Sequence, residues 1–500
     1  MRAVRHLSLS VASLAAFLAL PVEAIAQKQA QEHPQAHKHY TLVDIGAFGG
    51  PHSQVNFNSR VINSPGTVVG GASTAVPDPL CTFDAPYCFY MHAFRWKNGV
   101  ETDLGTLPGG NNSFAAAIND RGWVVGSSEN GLIDPAFGPV ADPALWRDGQ
   151  VIDLGTLGGP LGIAGDINAR GQVAGGALNA IPDPFGLFGF ATQVRAFLWQ
   201  NGHMHDLGTL GGNDAFAQFV NERGQVAGVS YTSSVPNPEN GIPTIDPFLW
   251  DNGRMIDLGS LGGINAGVFG LNNRGQVTGN SDVTRDGSIS HAFLWDRGSL
   301  HDLGTLGGDF SFTNWIDDSG EAVGGATTPD NATLRATRWK DGRATNLGSL
   351  NGDVCSIAFG SNSAGQIVGN SIACDVDGGA VRPFLWENGG PMVDLNSLIP
   401  PGSGLTLREG VFINDAGEIA GVADLENGDQ HAFLLIPRED NVDEAEGDLT
   451  AESDTAPALQ ELPSVSARMR LTPEMLAALR AQFSHRQRGL GLRLPSRQAD

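Results

Sequence analysis

One phrase returns about every fifty residues along this chain of 500, and it limits the fold more than any other feature. ALWRDGQVIDLGTLGG, AFLWQNGHMHDLGTLGG, PFLWDNGRMIDLGSLGG and AFLWDRGSLHDLGTLGG are four of its copies. Self-similarity at such a period marks an array of small units, each unable to bury its apolar surface alone. Three signals recur in every unit or nearly so. The first is D-[LI]-G, at Asp44, Asp103, Asp153, Asp206, Asp257 and Asp302, with Asn346 in the seventh place and Asp394-Leu395-Asn396 in the eighth. The second is [IVL]-N-x-x-G-x-x-x-G, which occurs eight times when variants such as IDDSGEAVG are included. The third is F-x-W, with tryptophan at 96, 146, 199, 250, 295, 339 and 386 and HAFLL standing in for an eighth copy.

Successive tryptophans lie 50, 53, 51, 45, 44 and 47 residues apart, the length of a four-stranded β unit. Asn-Gly or Asp-Gly follows the F-x-W strand in six of seven copies. These pairs accept the positive φ of a type I′ turn, so the F-x-W and D-L-G strands form a tight hairpin. N-x-x-G makes a second hairpin, giving four antiparallel strands per unit. In RAFLW both alternating faces are apolar, as expected of sheets packed between two neighbours. The first repeat strand, Tyr40–Gly46, lacks its F-x-W partner, and the last, His431–Leu435, lacks its D-L-G partner. Pairing the two orphans closes a ring and removes exposed edges. The expected fold is therefore all-β: an eight-bladed β-propeller over 40–437, with an open β-solenoid as its rival. The repeated phrase and the His-Ala-Phe at His92, His291 and His431 resemble the HAF-type extracellular repeats of bacteria. That resemblance implies export and repetition, and it brings no activity or catalytic residues. DPFLW and RPFLW show that the histidine is dispensable to the unit.

Residues 1–26 read as a secretory signal, with Arg2 and Arg5 before an apolar run and Ala24-Ile25-Ala26 as the cleavage pattern. Residues 27–39 read as a flexible leader bearing His33, His37 and His39. No later apolar run approaches the roughly 20 residues of a membrane span. Secretion or residence in the periplasm follows as the expectation. Four cysteines fit an oxidising compartment, with local pairs expected between Cys81 and Cys88 and between Cys355 and Cys374. A net charge of −24 argues against nucleic-acid binding, which needs clustered Lys and Arg. Beyond the repeats, 438–467 reads as an acidic disordered linker. Residues 468–500 form a basic tail whose Thr472–Gly489 stretch reads as a helix, with Met475, Leu476, Leu479 and Phe483 on one stripe. That helix is expected to dock on the repeats, a partner or an anionic surface.

Length variation concentrates in the connection leading into F-x-W, where variable loops on a rigid scaffold would bind. The candidate binding residues there are Phe83, Tyr87, Phe185, Phe188 and Tyr231. His203 and His205 alternate with Met204 and Asp206, but other copies have Val-Ile-Asp or Met-Ile-Asp there, which marks the aspartate as a turn acceptor rather than a catalyst. SDVTRDGS (Ser281–Ser288) and CDVDGG (Cys374–Gly379) resemble calcium loops without completing the pattern, so no cofactor is expected and calcium is the one metal left open. No G-x-S-x-G, H-E-x-x-H or phosphate loop occurs. The leading functional reading is a non-enzymatic exported scaffold that binds a protein or polysaccharide through its rim. The alternatives are a carbohydrate-active propeller enzyme with acids near the central channel, and a structural cell-surface repeat.

Overall fold

The computed structural model of the chain describes residues 38–438, apart from 58, 82, 85, 136–137, 374–380 and 388. The expected signal, nearly all of the leader, the Cys374–Gly379 loop, the acidic linker and the basic tail lie outside these residues. The described residues are all-β; their only helical pieces are short 3-10 turns at Leu187–Gly189 and Leu395–Leu398.

Each repeat forms four antiparallel strands. In the second unit the inner strand Ser113–Ile118 pairs with Val124–Asp134, which pairs with Gly138–Arg147, which pairs with the outer strand Gln150–Asp153. The first unit begins at Gly49–Gln54, the third at Gly158–Ile167, the fourth at Ala215–Val220, the fifth at Ala266–Leu271, the sixth at Ser311–Ile316 and the seventh at Cys355–Ser361. The eighth takes Leu405–Ile413, Ile419–Leu425 and Gln430–Pro437 from the end of the repeats, and its outer strand from their beginning. Tyr40–Gly46 lies antiparallel to Gln430–Pro437, with Leu42 opposite Leu435 and Asp44 opposite Phe433. The two orphan strands do pair. Single parallel bridges, His52 to Gln430 and Leu161 to Ala141, join neighbouring units into larger sheets.

Neighbouring sheets share their cores. Ala117, Val125 and Leu145 of unit 2 pack with Ala164, Val173 and Phe197 of unit 3. Ala174 and Leu198 of unit 3 pack with Ala217 and Phe248 of unit 4. Val68 and Phe94 of unit 1 share a cluster with Phe412, Ala420 and Leu434 of unit 8. The phenylalanine of F-x-W is wholly buried at Phe94, Phe197, Phe248, Phe293, Phe384 and Phe433.

Each letter of N-x-x-G-x-x-x-G has a separate physical cause. The asparagine holds two structures at once. Asn221 Oδ1 accepts the N–H groups of Arg223 and Gln225 across its own turn, both at 3.0 Å, while its Nδ2 donates 3.0 Å to the carbonyl of Asn272 in the next unit. The same step links Asn63 to Asn119, Asn119 to Asn168, Asn168 to Asn221, Asn272 to Asp317, Asn362 to Asn414 and Asn414 back to Asn63. The chemical gap in this circuit is Asp317, because a carboxylate has no N–H to donate towards unit 7. The first glycine turns the hairpin at positive φ in all eight copies, between 72° and 87°. The second has another role. A Cβ on Gly175 would stand 2.0 Å from the Ile163 carbonyl oxygen and 2.7 Å from Phe197 Cζ, where the inner strand bulges against the second.

The other turn signals behave as read. Asn98, Asp148, Asn201, Asn252 and Asp341 take φ of 49° to 54° before their glycines, and Arg297 adopts the same conformation at 47°. All eight D-L-G positions accept the backbone N–H two residues on, at 2.7 to 2.9 Å. Cys81 and Cys88 form a disulfide, and Cys355 is also disulfide-bonded at the open end of the Cys355–Ser361/Ile367–Ile372 hairpin. Its expected partner, Cys374, is outside the described residues.

Candidate functional site

Three places bring chemistry-bearing side chains together. The first is a cavity of about 560 Å³, lined by residues from all eight repeat copies. Its mouth carries the residue after each asparagine: Ser64, Asp120, Ala169, Glu222, Asn273, Asp318, Ser363 and Asp415. Five hydrogen bonds between neighbouring units run through these residues. The Ser64 N–H donates to Asp120, that of Ala169 to Glu222, that of Glu222 to Asn273, that of Asn273 to Asp318 and that of Ser363 to Asp415, at 2.8 to 3.0 Å. The mouth carboxylates thus accept bonds that hold neighbouring turns together. Deeper in, Phe219, Trp315 and Phe412 line the wall, with Trp315 edge-on to Phe412 at 4.8 Å. Gly360 occupies in unit 7 the position that Trp315 holds in unit 6 and Phe412 in unit 8.

Burial pushes the Asp166 carboxyl up to about 6. The charge of Arg60 and the N–H groups of Val220 and Ile167 pull the other way. Arg60 is here because unit 1 has eleven residues from Ser53 to Asn63, where unit 2 has seven from Ser113 to Asn119. The longer segment also sets Phe57 against Phe359 of unit 7, at 5.8 Å between ring centres. Sequence reading missed this loop, although the four extra residues were a visible signal.

The second place lies inside the Cys81–Cys88 loop. Asp84, fully buried, receives the Ser73 hydroxyl at 2.6 Å and sits 2.5 Å from His52 Nδ1, while Tyr87 stacks on the His52 ring. Serine, aspartate and histidine are all present, but the carboxylate stands between the other two. An acyl-transfer triad needs the imidazole in that position. The cluster serves to clamp the disulfide loop onto the inner strand.

The third is the row that gives the HAF histidines their role. His92, His291 and His431 each place Nδ1 2.8 to 2.9 Å from a D-L-G aspartate: Asp103, Asp302 and Asp44. At Asp44, burial raises the carboxyl, but the His431 hydrogen bond and charge and the Gly46 N–H outweigh it, and the net shift is downward. Arg195 replaces histidine in unit 3 and binds Asp206 through its guanidinium. Units 2 and 4 instead put aspartate beside aspartate, Asp142 with Asp153 and Asp246 with Asp257. Burial, and then the charge of Asp257, push Asp246 up to about 6. A carboxyl raised from about 3.9 in the unfolded chain is protonated in both states below pH 4 and opposes folding as it ionises. Stability contributed here is therefore full below pH 4 and lost as pH rises to about 6. Asp246→Asn should match the parent's urea midpoint at pH 4 and exceed it at pH 7; a gain confined to pH 4 would contradict this assignment.

The aromatic residues expected to be exposed on the rim mostly are not. Tyr231 is 3% exposed and its hydroxyl donates to the Phe185 carbonyl, so it is core rather than surface. Phe188 meets Phe216 edge-on at 5.1 Å, and both Phe188 and Phe83 pack on the cluster that holds Leu161 and Leu187. Tyr87 stacks on His52. Only Phe185, at 36%, meets the expectation of a large exposed ring. The correction has a simple cause: the long connections fold over the adjacent unit and bury their largest side chains beneath them. What they expose is aliphatic. Val76, Leu80, Leu132, Ile133, Ile181 and Val235 all lie on the same end of units 1 to 4, with Ile133 at 69% and Val235 at 70%.

His203 sits exposed on the outer strand of unit 3, and His205 is exposed two residues on. In the Ser281–Ser288 loop, hydrogen bonds from Ser288 and Thr284 hold the Asp286 carboxyl at about 2. Among the described residues no group of three or more His, Cys, Asp or Glu could hold a metal ion. No helix among them is long and apolar enough to cross a membrane.

No family model matches the chain, and no curated protein does either. Solved structures give similarities of chain trace. The β-propeller domain of the Trilobed protease from Pyrococcus furiosus, described as having an open velcro topology, is 7% identical. That match covers 72% of this chain and 97% of that one, at a TM-score of 0.39. A putative TolB from Agrobacterium tumefaciens is 14% identical over 52% of this chain and 90% of its own, at 0.27. Dipeptidyl peptidase 4 from Porphyromonas gingivalis is 11% identical over 67% of this chain, at 0.37, and only 54% of the peptidase is spanned.

Proposed function

We propose that this protein is an exported, non-enzymatic scaffold of the HAF-repeat kind: an eight-bladed β-propeller closed by its termini, which binds a protein through the loops of units 1 to 4. The pairing of Tyr40–Gly46 with Gln430–Pro437, the asparagine circuit and a cavity lined by all eight copies support the ring. The Cys81–Cys88 disulfide supports an oxidising compartment. The observation that carries the function is the apolar sector on one rim. Among the described residues, seven of the eight large exposed hydrophobic ones belong to the loops and hairpin tips of four consecutive units. Concentrated exposed apolar surface marks a partner site. Aliphatic tips favour a protein over a polysaccharide, since sugar binding draws on open aromatic faces and these are committed to packing. The mouth carboxylates, engaged as acceptors between units, favour a scaffold over a hydrolase.

The test compares the intact chain with an Ile133→Ser/Val235→Ser variant as bait in the exported protein fraction. Surface changes of this kind leave stability within about 0.5 kcal/mol. A partner retained by the intact chain and reduced about tenfold by the variant is expected, a loss of about 1.4 kcal/mol. Capture indifferent to the variant overturns the reading, as does a polysaccharide that raises the melting temperature by mass action.

A further inference from the structure

The charge of the cavity is lopsided. Asp120, Asp166, Glu222, Asp317, Asp318 and Asp415 line it, against one guanidinium, Arg60. A carboxylate has about four acceptor sites, so one or two bonds from neighbouring turns leave its charge and further lone pairs facing the opening. Phe219, Trp315 and Phe412 supply an apolar wall. Ser361 lines the same space, is 4% exposed, and carries a hydroxyl with no hydrogen-bond partner. Acidic rim, aromatic wall and a spare hydroxyl together complement a guanidinium, a flat and weakly hydrated cation with donors at its edge.

The chain carries such groups and brings them to the right side. After Arg438 there are 62 further residues (500 − 438). Pro437 lies 3.4 Å from the place a Cβ on Gly417 would take, so the chain leaves beside the Asn414–Gly417 turn, whose Asp415 is at the cavity mouth. Seven arginines lie between Arg468 and Arg497, against only Glu474 and Asp500 in that segment. A flexible chain as long as the intervening acidic stretch has an end-to-end reach of roughly 30 Å. The repeats and linker are strongly acidic, and opposite charge favours the encounter.

We propose that the cavity is a guanidinium site occupied by arginine side chains of the chain's own segment 468–500. Its size suits side chains. A helix about 10–12 Å across would not enter, so the apolar stripe of the tail stays outside the mouth while arginines reach in. This inference goes beyond the rim reading and does not depend on it.

The test uses a labelled synthetic peptide of residues 468–500 and two full-length chains, the parent and one with all seven tail arginines changed to glutamine. A tethered segment competes at an effective concentration on the order of millimolar. The peptide should therefore bind the arginine-free chain at least about tenfold more tightly than the parent. Adding Glu222→Gln, Asp318→Asn and Asp415→Asn to the arginine-free chain should cost about tenfold again, because the amide oxygens still accept the neighbouring N–H groups while the charge is gone. A thermal midpoint checks that this variant folds; if it does not, Glu222→Gln alone gives the same comparison. Equal affinity for parent and arginine-free chain overturns the proposal, as does no binding to the latter. Binding indifferent to the cavity carboxylates overturns it too, and would place the tail on the acidic linker.

Discussion

Gly175→Ala should unfold at clearly lower urea than the parent, losing about 3 kcal/mol, the upper end of the usual cost of overpacking. The added methyl would lie 2.0 Å from the Ile163 carbonyl oxygen and 2.7 Å from Phe197 Cζ. Neither neighbour can step aside. The oxygen belongs to the inner strand at its bulge, and Phe197 is wholly buried between units 2 and 3. The matched control is Gly202→Ala, at φ 83° in an open turn with nothing within 4 Å of the new atom. That change meets only backbone strain, about 1–2 kcal/mol. Urea midpoints at unchanged slope read both. A smaller loss at Gly175 than at Gly202 would contradict the account of the second glycine. The same crowding recurs at Gly228, Gly279, Gly369 and Gly421, where the nearest atom is again an inner-strand carbonyl oxygen at 1.8 to 2.1 Å.

Much of this architecture was legible because it is local and repeated. The type I′ turns, the aspartate that accepts its own turn N–H and the glycine of each N-x-x-G hairpin are decided within four residues, so composition at those positions reveals them. The pairing of Tyr40–Gly46 with the final strand was legible by counting, since each lacked its usual partner. Other features depend on what lies across a unit boundary. That Asn221 bonds Asn272 in the next unit, or that a glycine faces a carbonyl oxygen, cannot be seen within one repeat. The loop aromatics failed for this reason. Tyr231 ends a strand and Phe188 sits in a Pro- and Gly-rich connection, which reads as exposed, yet both are covered when the loop folds over its neighbour. The HAF histidines show the converse. For His92 and His291 the partner lies eleven residues on, across the F-x-W/D-L-G hairpin, and for His431 it is Asp44 on the paired first strand; pairing the strands on paper would have found both.

The outer strand Tyr40–Gly46 should be among the slowest-exchanging edges of the molecule. It carries Tyr40 and Ile45, both buried, and its Asp44 meets His431 at 2.8 Å. If this strand seals the ring, its ladder hydrogens exchange only when the first and last units part, an opening close to global unfolding. A protection factor of about 10³ or more is then expected, matching an opening free energy of about 4 kcal/mol. An unpaired edge would behave like a frayed terminus instead. The measurement that decides this is native-state hydrogen exchange by mass spectrometry on Tyr40–Gly46, made on the monomeric fraction so that exchange of strands between chains cannot imitate closure. Protection like that of Gln430–Pro437 is the result a ring closed by its termini predicts. Exchange at the rate of an unstructured peptide, with Gln430–Pro437 still protected, would contradict it.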